Sequence, residues 1–209
     1  MRKATVSWLA AALALSGCFG RAVRYEGDEA LRPLPAVRES VAPPQPRIAT
    51  VVPERQADIE QRLVSFIRWR NRRLNADGAH HIAVSLLKAS AERGVDERLL
   101  ACLVAVESSF DTRAVSRTGA AGLGQLLPST ARELGISDPH DVDQNLRGTA
   151  TYLGRMLDSW SGRDDRTELA LVSYLEGLGT VRKQVQAGKP LTPQQILFVN
   201  RVTGLYERI

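Results

Sequence analysis

The chain has 209 residues, with 28 Lys and Arg against 23 Asp and Glu, which gives a formal net charge of +5. This excess is modest and spread along the sequence, so it does not indicate a nucleic-acid-binding protein. The two cysteines do not predict a disulfide framework, and the length suits one domain with an extension.

The N-terminal residues have the pattern of a secretory leader. Arg2 and Lys3 precede an apolar segment, residues 6–15, that is too short to cross a bilayer as a helix. The sequence Leu-Ser-Gly-Cys at 15–18 resembles a bacterial lipobox, which implies a signal peptide over residues 1–17 and a lipid anchor on Cys18. Phe19 follows the cysteine where some lipoproteins have Asp, and by resemblance to Gram-negative lipoproteins this favours sorting to the outer membrane. We therefore expect a lipid-anchored protein on the periplasmic face of the cell envelope; the alternative is an ordinary secretory signal with a chance cysteine.

The next two segments lead from this anchor to the folded domain. Residues 18–53 are rich in Pro, Arg and Ala and show no sustained period, which predicts a disordered tether. Residues 54–76 predict a basic N-terminal helix. Four arginines surround Trp69 near its end: Arg68, Arg70, Arg72 and Arg73. They form either a solvated helix face with a packed Trp or a contact for anionic headgroups or acidic wall polymer.

Residues 77–209 have helical periodicity and no convincing strand, so we expect an all-α domain. Gly78 separates the basic helix from the next one, and Gly94 ends that helix as a C-cap. The predicted helices are His80–Arg93, Asp96–Ser109, Pro128–Leu134, Asp143–Trp160 with Asp143 as its cap, Arg166–Leu175, Val181–Ala187 and Pro193–Arg208. The predicted buried face of the last helix consists of Ile196, Val199, Val202 and Tyr206.

Glu107 is the candidate catalytic residue. It shares one helix face with Leu100, Leu103 and Val104, which lie at i, i+3 and i+4 when Glu107 is i+7. Burial disfavours the ionised carboxylate, and so does the negative end of the helix dipole, so both should raise its pKa. A general acid requires such a raised pKa near neutral pH. The alternative is a carboxylate that ends the helix and reaches solvent.

An ungapped set of residues after this helix matches a longer pattern. The set comprises Glu107, Ser108, Phe110, Ala114, Ser116, Gly119, Ala120, Gly122, Leu123, Gln125, Pro128, Thr130 and Ala131. It resembles the soluble-type lytic transglycosylases, relatives of goose-type lysozyme, whose pattern is roughly E-S-x-F-x-P-x-A-x-S-x-x-G-A-x-G-L-M-Q-x-x-P-x-T-A. The later residues Asp141, Asn145, Gly148, Tyr152, Leu153, Tyr174 and Gly177 echo two further motifs of that family.

The resemblance implies a lysozyme-like helical domain and a peptidoglycan lytic transglycosylase. In that family a single Glu protonates the leaving oxygen of the MurNAc–GlcNAc β-1,4 bond. The same Glu then deprotonates the sugar's C6 hydroxyl, which attacks C1 and leaves a 1,6-anhydroMurNAc end. Glu107 matches this acid and base. Ser116 and Gln125 match residues that line the sugar site, and Tyr174 matches the Tyr beside the Glu.

Several positions depart from the family pattern. Thr112 replaces Pro, Gly124 replaces Met, and Leu175 and Glu176 replace Asn and Ala in the motif Ala-Tyr-Asn-Ala-Gly. The changes at 124, 175 and 176 leave open a non-catalytic peptidoglycan-binding or scaffolding relative. Glu176 is also a candidate second carboxylate, which would raise the pKa of Glu107 and direct the reaction toward hydrolysis.

The sequence predicts neither a cofactor nor a metal site. His80 and His81 are adjacent and cannot share a helix face, and no Cys or Glu lies at ligand spacing from them. Cys102 lies in an apolar segment and is expected to be a small core residue. The expected partners are peptidoglycan glycan strands and, through Cys18, the membrane; nucleic acid is not expected, and the sequence indicates no protein partner.

Overall fold

The computed structural model describes the backbone of residues 48–209 and the side chains of residues 55–209. Within these residues the chain forms α-helices and one 3-10 helix, and no strand, which confirms the all-α prediction. The elements are α1 (Ile48–Arg70), α2 (Ala76–Arg93), α3 (Glu97–Glu107), α4 (Pro128–Glu133), α5 (Val142–Ser159), α6 (Arg166–Glu176), α7 (Leu178–Gln186), α8 (Pro193–Thr203) and the 3-10 helix Tyr206–Arg208. Of the described helices, none has the length and apolar character needed to cross a membrane. The predicted signal peptide, Cys18 and most of the predicted tether lie outside the described residues.

The helix α3 is the centre of the domain. Each residue from Leu99 to Ala105 is buried, and a helix that is apolar on all sides needs neighbours on all sides. The helices α1, α2, α5 and α8 supply them, while α6 packs against α5, α7 and α8. The carboxylate of Asp96 begins α3 as predicted, by accepting hydrogen bonds from the amides of Arg98 and Leu99. The central position of α3 places its last residue, Glu107, inside the domain.

Cys102 is a core residue of α3, as the sequence predicts. Its side chain is fully buried, and burial raises the pKa of its thiol to about 12. The thiol therefore stays protonated at neutral pH, and a protonated thiol is a poor nucleophile.

The boundary between α1 and α2 differs from the prediction. The helix α1 begins at Ile48, before the predicted start at Glu54, and ends at Arg70 instead of continuing past Leu74. The side chain of Asn75 caps α2 by accepting a hydrogen bond from the amide of Gly78, so Gly78 lies in the first turn of α2 and does not separate the helices. A Cβ at Gly78 would lie 3.0 Å from the Asn75 Oδ1, which explains why glycine fits inside this turn.

Three predictions about the later helices are wrong. Asp141, not Asp143, caps α5, since its side chain accepts a hydrogen bond from the amide of Gln144. In α8, Ile196 is exposed and Gln195 is buried in its place. A buried Gln is stable here because it completes a capping box with Thr192. The chain also breaks after Thr203, so the predicted helix to Arg208 becomes α8 and a separate 3-10 helix.

Candidate active site

The carboxyl group of Glu107 is partly buried at the C-terminal end of α3. Burial raises its pKa from the ordinary value of 4.5 to about 7, in the direction that the sequence predicts. The guanidinium of Arg201, on α8, lowers the pKa and so partly offsets the effect of burial. At neutral pH a substantial fraction of Glu107 is therefore protonated, and the group can donate a proton or accept one.

Tyr174 connects Glu107 with the loop that follows α3. Its phenol is buried in α6, and both burial and the nearby charge of Glu107 raise its pKa well above 10. The Tyr174 hydroxyl donates a 2.6 Å hydrogen bond to the carbonyl of Gly124, and its ring packs on Tyr152 with 5.0 Å between centroids. The structure thus brings Tyr174 beside Glu107, with its hydroxyl committed to the backbone next to Gln125.

The segment between α3 and α4 folds back on itself. Ala121 forms isolated antiparallel bridges with Val115 and Leu126. The hydroxyl of Ser116 accepts a hydrogen bond from the amide of Ala120 at 3.0 Å and lies 2.9 Å from the Thr118 hydroxyl. Ser116 therefore holds the turn at residues 116–120 in shape.

Gln125 is fixed in an uncommon backbone conformation. Its φ of 51° lies in the left-handed region, which few non-glycine residues adopt. Its side-chain Nε2 donates to the carbonyls of Ala114 at 3.1 Å and Gly122 at 3.0 Å. Both amide hydrogens are thus used inside the loop, which leaves Oε1 as the atom available to accept a hydrogen bond from a ligand.

Asn145, on α5, anchors this loop from beneath. The side chain is fully buried. Its Oδ1 accepts from the amide of Gly124 at 2.8 Å, and its Nδ2 donates to the carbonyls of Ala121 at 3.1 Å and Pro139 at 2.8 Å. A Cβ at Gly122 would lie 2.0 Å from the Pro139 carbonyl oxygen, so only glycine fits there. The loop is therefore held tightly against α5.

Thr149 accounts for the glycine at position 124. A Cβ on Gly124 would lie 1.9 Å from the Oγ1 of Thr149, one turn after Asn145 on α5. The space that a Met side chain would need at this point is filled by the threonine. The departure at Gly124 is thus matched by its neighbour, although the sequence gave no signal that the two positions are in contact.

Leu175 and Glu176 lie at the end of α6, and both are exposed. The Oε2 of Glu176 accepts a 2.8 Å hydrogen bond from Nε2 of the buried Gln195. The pKa of Glu107 is raised by burial and lowered to a smaller extent by the charge of Arg201, and Glu176 is not among the causes of its shift. Glu176 is therefore a link between α6 and α8 in this structure. Leu175 is 46% exposed.

The three histidines, His80, His81 and His140, are on the surface. His80 pairs with Glu60 at 2.9 Å, and the Nδ1 of His140 lies 2.9 Å from the carbonyl oxygen of Thr112. In the described part of the chain, no three side chains of His, Cys, Asp or Glu come together as a metal site. Phe110 is fully buried, so it is a packing residue.

Sequence reasoning missed Arg201, which lies on a helix outside the recognised motifs. No local pattern in α8 distinguishes this arginine from the others, and only the packing of α8 on α3 brings it toward Glu107.

Comparison with known proteins supplies the family. Residues 85–196 match the family model described as Transglycosylase SLT domain. A protein named membrane-bound lytic murein transglycosylase F from Desulfosudis oleivorans is 39% identical over 105 residues, which cover 49% of this chain and 23% of that protein. A transglycosylase of Enterobacteria phage PRD1 is 35% identical over 116 residues, which cover 54% of this chain and 42% of that protein. The match therefore covers less than half of either relative.

Two solved structures share the fold. An inactive glutamate-to-glutamine mutant of the lytic transglycosylase Slt from Pseudomonas aeruginosa aligns with a TM-score of 0.50 at 25% identity, over 59% of this chain and 23% of that one. The 70 kDa soluble lytic transglycosylase from Escherichia coli aligns with a TM-score of 0.53 at 16% identity, over 73% of this chain and 29% of that one. The second likeness bears on the fold alone, and it supports the lysozyme-like architecture that the sequence predicts.

Substitution of Gly124 by Ala should destabilise the domain. The added Cβ overlaps Thr149, so we expect a loss of about 1–3 kcal/mol in the free energy of unfolding. The change Thr149→Ala removes the two atoms nearest to that Cβ, so the double variant should be more stable than the sum of the single changes predicts. Urea unfolding of the four proteins measures this coupling. Gly179→Ala is the control, because a Cβ there meets nothing within 4 Å; additive effects at 124 and 149 would contradict the explanation.

Substitution of Glu107 by Gln should change how stability depends on pH. Below about pH 4.5 the carboxyl is protonated in both folded and unfolded chains. Between about pH 4.5 and 7 the unfolded chain ionises while the folded chain keeps its proton, so the wild type loses stability as pH rises. Above pH 7 the loss levels off, at most about 3 kcal/mol.

Thermal unfolding of wild type and Glu107→Gln between pH 4 and 8 measures this effect. The advantage of the Gln variant in Tm should grow up to pH 7 and then stay constant. Glu92→Gln, on the exposed surface of α2, should show no such trend. A pH-independent difference between Glu107→Gln and wild type would show that the carboxyl titrates normally.

Proposed function

The chain belongs to the Transglycosylase SLT domain family, and we propose that it is a peptidoglycan lytic transglycosylase. The named relatives extend well beyond the matched region, so the proposal concerns what this domain does. The observation that carries it is the pKa of about 7 at Glu107, next to Tyr174 and the Gln125 loop. A structural carboxylate gains nothing from such a position, whereas a proton donor requires it.

Glu107 acts as the single acid and base of the proposed reaction. Its protonated carboxyl donates to the oxygen that leaves C1 of MurNAc when the β-1,4 bond to GlcNAc breaks. The resulting carboxylate then takes the proton of the C6 hydroxyl, whose oxygen attacks C1 and closes the 1,6-anhydro ring. The proton lost in the first step is regained in the second, so Glu107 ends in its starting state. Arg201 favours the intermediate carboxylate, because its charge lowers the pKa of Glu107.

The loop after α3 provides the sugar contacts in this proposal. The Oε1 of Gln125 accepts a hydrogen bond from the glycan, since its Nε2 is held by Ala114 and Gly122. Ser116 shapes the adjacent turn and lines the sugar site beside it. Tyr174 packs beside Glu107 and, through its bond to Gly124, fixes the distance between the acid and this loop.

A second candidate is a non-catalytic peptidoglycan-binding or scaffolding relative. The exposed Leu175, where the family has Asn, is the observation that favours it, because an amide lost from the cleft could weaken glycan positioning. A hydrolase that uses Glu176 as second carboxylate is the third candidate. The hydrogen bond from Gln195 to Glu176 makes that carboxylate less available as a base.

The proposed site of action is the cell envelope. Several relatives are named membrane-bound, and a lipid on Cys18 would hold this chain at the periplasmic face of the outer membrane, with residues 18–53 as tether. The partners in this proposal are the glycan strands and the membrane.

Digestion of purified sacculi by the full chain tests the function. We expect anhydro-muropeptides in the mass spectrum with wild type, and none with Glu107→Gln, since glutamine cannot donate or accept the proton. The rate should fall as pH rises through about 7, because the first step needs the protonated acid. Glu92→Gln is the matched control and should keep full activity.

Other products would replace this proposal with one of its alternatives. Muropeptides with ordinary reducing ends would indicate hydrolysis, and their loss in Glu176→Gln would assign the second carboxylate. Sacculi that are bound but never cleaved by wild type would indicate the non-catalytic relative.

The lipid anchor has its own test. In cells that express the full chain, globomycin should block processing and lead to an unprocessed precursor, and Cys18→Ser should do the same. The N-terminus of the mature chain, read by mass spectrometry, should be a lipidated Cys18. Processing at any other residue would exclude the anchor.

A further inference from the structure

A basic cleft begins at the residue after Glu107. It has a volume of about 600 Å³ and lies between the end of α1 and the segment that follows α3. Its walls are residues 69–74 and 108–112. We call it the arginine cleft, because Arg70, Arg72 and Arg73 line it. The proposed reaction does not use it.

Among the described residues, no ion pair neutralises the arginines of the cleft. One of its lining residues, Asp111, is acidic, against three arginines. Arg72 and Arg73 are exposed, and none of the three arginines forms an ion pair with a described carboxylate. Like charges this close together repel one another unless an anion is present. The cleft therefore favours an anionic ligand.

The cleft is fixed to the helix that carries Glu107. The Nε of Arg70 donates a 3.2 Å hydrogen bond to the carbonyl of Ala105, in the last turn of α3. The side chain of Asn71 donates to the carbonyl of Phe110 at 3.2 Å. Such contacts satisfy carbonyl groups that a helix end leaves free. The hydrogen bond to Ala105 thereby sets the position of Arg70 relative to α3.

The opposite wall is equally constrained. Ser109 and Phe110 have φ values of 54° and 59°, in the left-handed region, and a non-glycine residue stays there only when its surroundings hold it. Phe110 is fully buried and meets Phe66 edge-on, at 5.9 Å between ring centroids. Phe66 in turn stacks on Trp69 at 5.7 Å. An aromatic series thus runs from the α3 loop to Trp69, which is 45% exposed in the cleft.

We propose that the arginine cleft binds the acidic peptide stem of peptidoglycan while the glycan lies at Glu107. This inference rests on the proposed function for its ligand. Peptide stems are attached to the MurNAc residues and carry free carboxylates, and guanidinium groups bind carboxylates well. A peptide of four residues reaches about 13 Å, which is enough to pass from a sugar near Glu107 into a cleft that starts at Ser108.

A peptide suits this cleft better than an anionic membrane surface does. The arginines line a concave space, and Arg70 is half-buried, whereas a flat lipid surface requires cations that project from a convex face. Arg208 also lies over the Trp69 ring at 4.6 Å, which limits the insertion of that ring into a bilayer interface.

Binding of the full chain to two kinds of sacculi tests the proposal. The chain carries Glu107→Gln, to prevent turnover, and Cys18→Ser, to prevent lipidation. One preparation keeps its peptide stems, and the other has lost them through amidase treatment. Replacement of both Arg72 and Arg73 by Gln should weaken binding to peptide-bearing sacculi by about 5- to 30-fold, a loss that shrinks as salt is raised. Binding to peptide-free sacculi should not change.

Two further variants test whether the loss of affinity comes from the charges of the cleft, and not from a change in fold or in the net charge of the protein. Replacement of both arginines by Lys should restore part of the affinity for peptide-bearing sacculi. Replacement of the exposed Arg93 and Arg182 by Gln removes the same net charge elsewhere and should leave the affinity unchanged. The same affinity loss on both kinds of sacculi, or no loss on either, would overturn the proposal. The proposal would also be overturned if replacement of Arg72 and Arg73 by Gln weakened binding to phosphatidylglycerol vesicles and did not weaken binding to sacculi.

Cleavage assays with proteins that retain Glu107 distinguish a failure of the peptide-site proposal from a failure of the proposed function. If wild type cleaves both preparations and the arginine variant is impaired on neither, the proposed function stands and the peptide site is wrong. If wild type cleaves neither, the reaction is wrong, and the difference in binding between the two preparations still decides the role of the cleft.

Discussion

The buried amide of Asn145 is the interaction on which the candidate site depends. It binds the Gly124 amide and two loop carbonyls at once, so the loop after α3 has one position relative to α5. A buried amide that lacks a hydrogen-bond partner lowers the stability of the fold. The hydrogen bonds of Asn145 are therefore expected to form together or not at all. The conformations of Gln125 and Gly122 follow from them. The proposed sugar-contacting loop is therefore held in place by Asn145, a buried residue that binds the backbone of the loop.

The electrostatics of Glu107 follow from a second constraint, the apolar character of α3. A helix that is buried on every side carries its last residue into the domain, and burial then raises the pKa of the carboxyl. Tyr174 adds no charge, since its own pKa is raised well above 10 and its proton is shared with a backbone carbonyl. Among the described residues, Arg201 is the counter-charge that lowers the pKa of Glu107. The acid is thus poised near neutral pH by what surrounds it, and no second carboxylate is needed to explain its pKa.

The sequence predicted the features that are encoded locally. The period and cap of α3 and the inward position of Glu107 follow from residues within one helix. Asp141 and Asp143 both fit a helix start, and only the hydrogen bond to the Gln144 amide selects the first. Ile196 is the apolar choice for a buried face, yet Gln195 is buried because its polar atoms find partners on α6, α7 and the helix start. The cap of α5 and the buried face of α8 depend on three-dimensional contacts, and the hydrophobic period of a sequence carries no information about such contacts.

The departures from the family pattern bear on whether this domain still has a functional cleft. Gly124 is accompanied by Thr149, which fills the space that the missing side chain would occupy. Glu176 is accompanied by the buried Gln195, which binds its carboxylate and joins α6 to α8. Leu175 has no such partner among the contacts described, and it is exposed, where a substitution costs the fold little. In this structure Gly124 and Glu176 are thus each accommodated by a neighbouring side chain, so neither change by itself argues against a functional cleft.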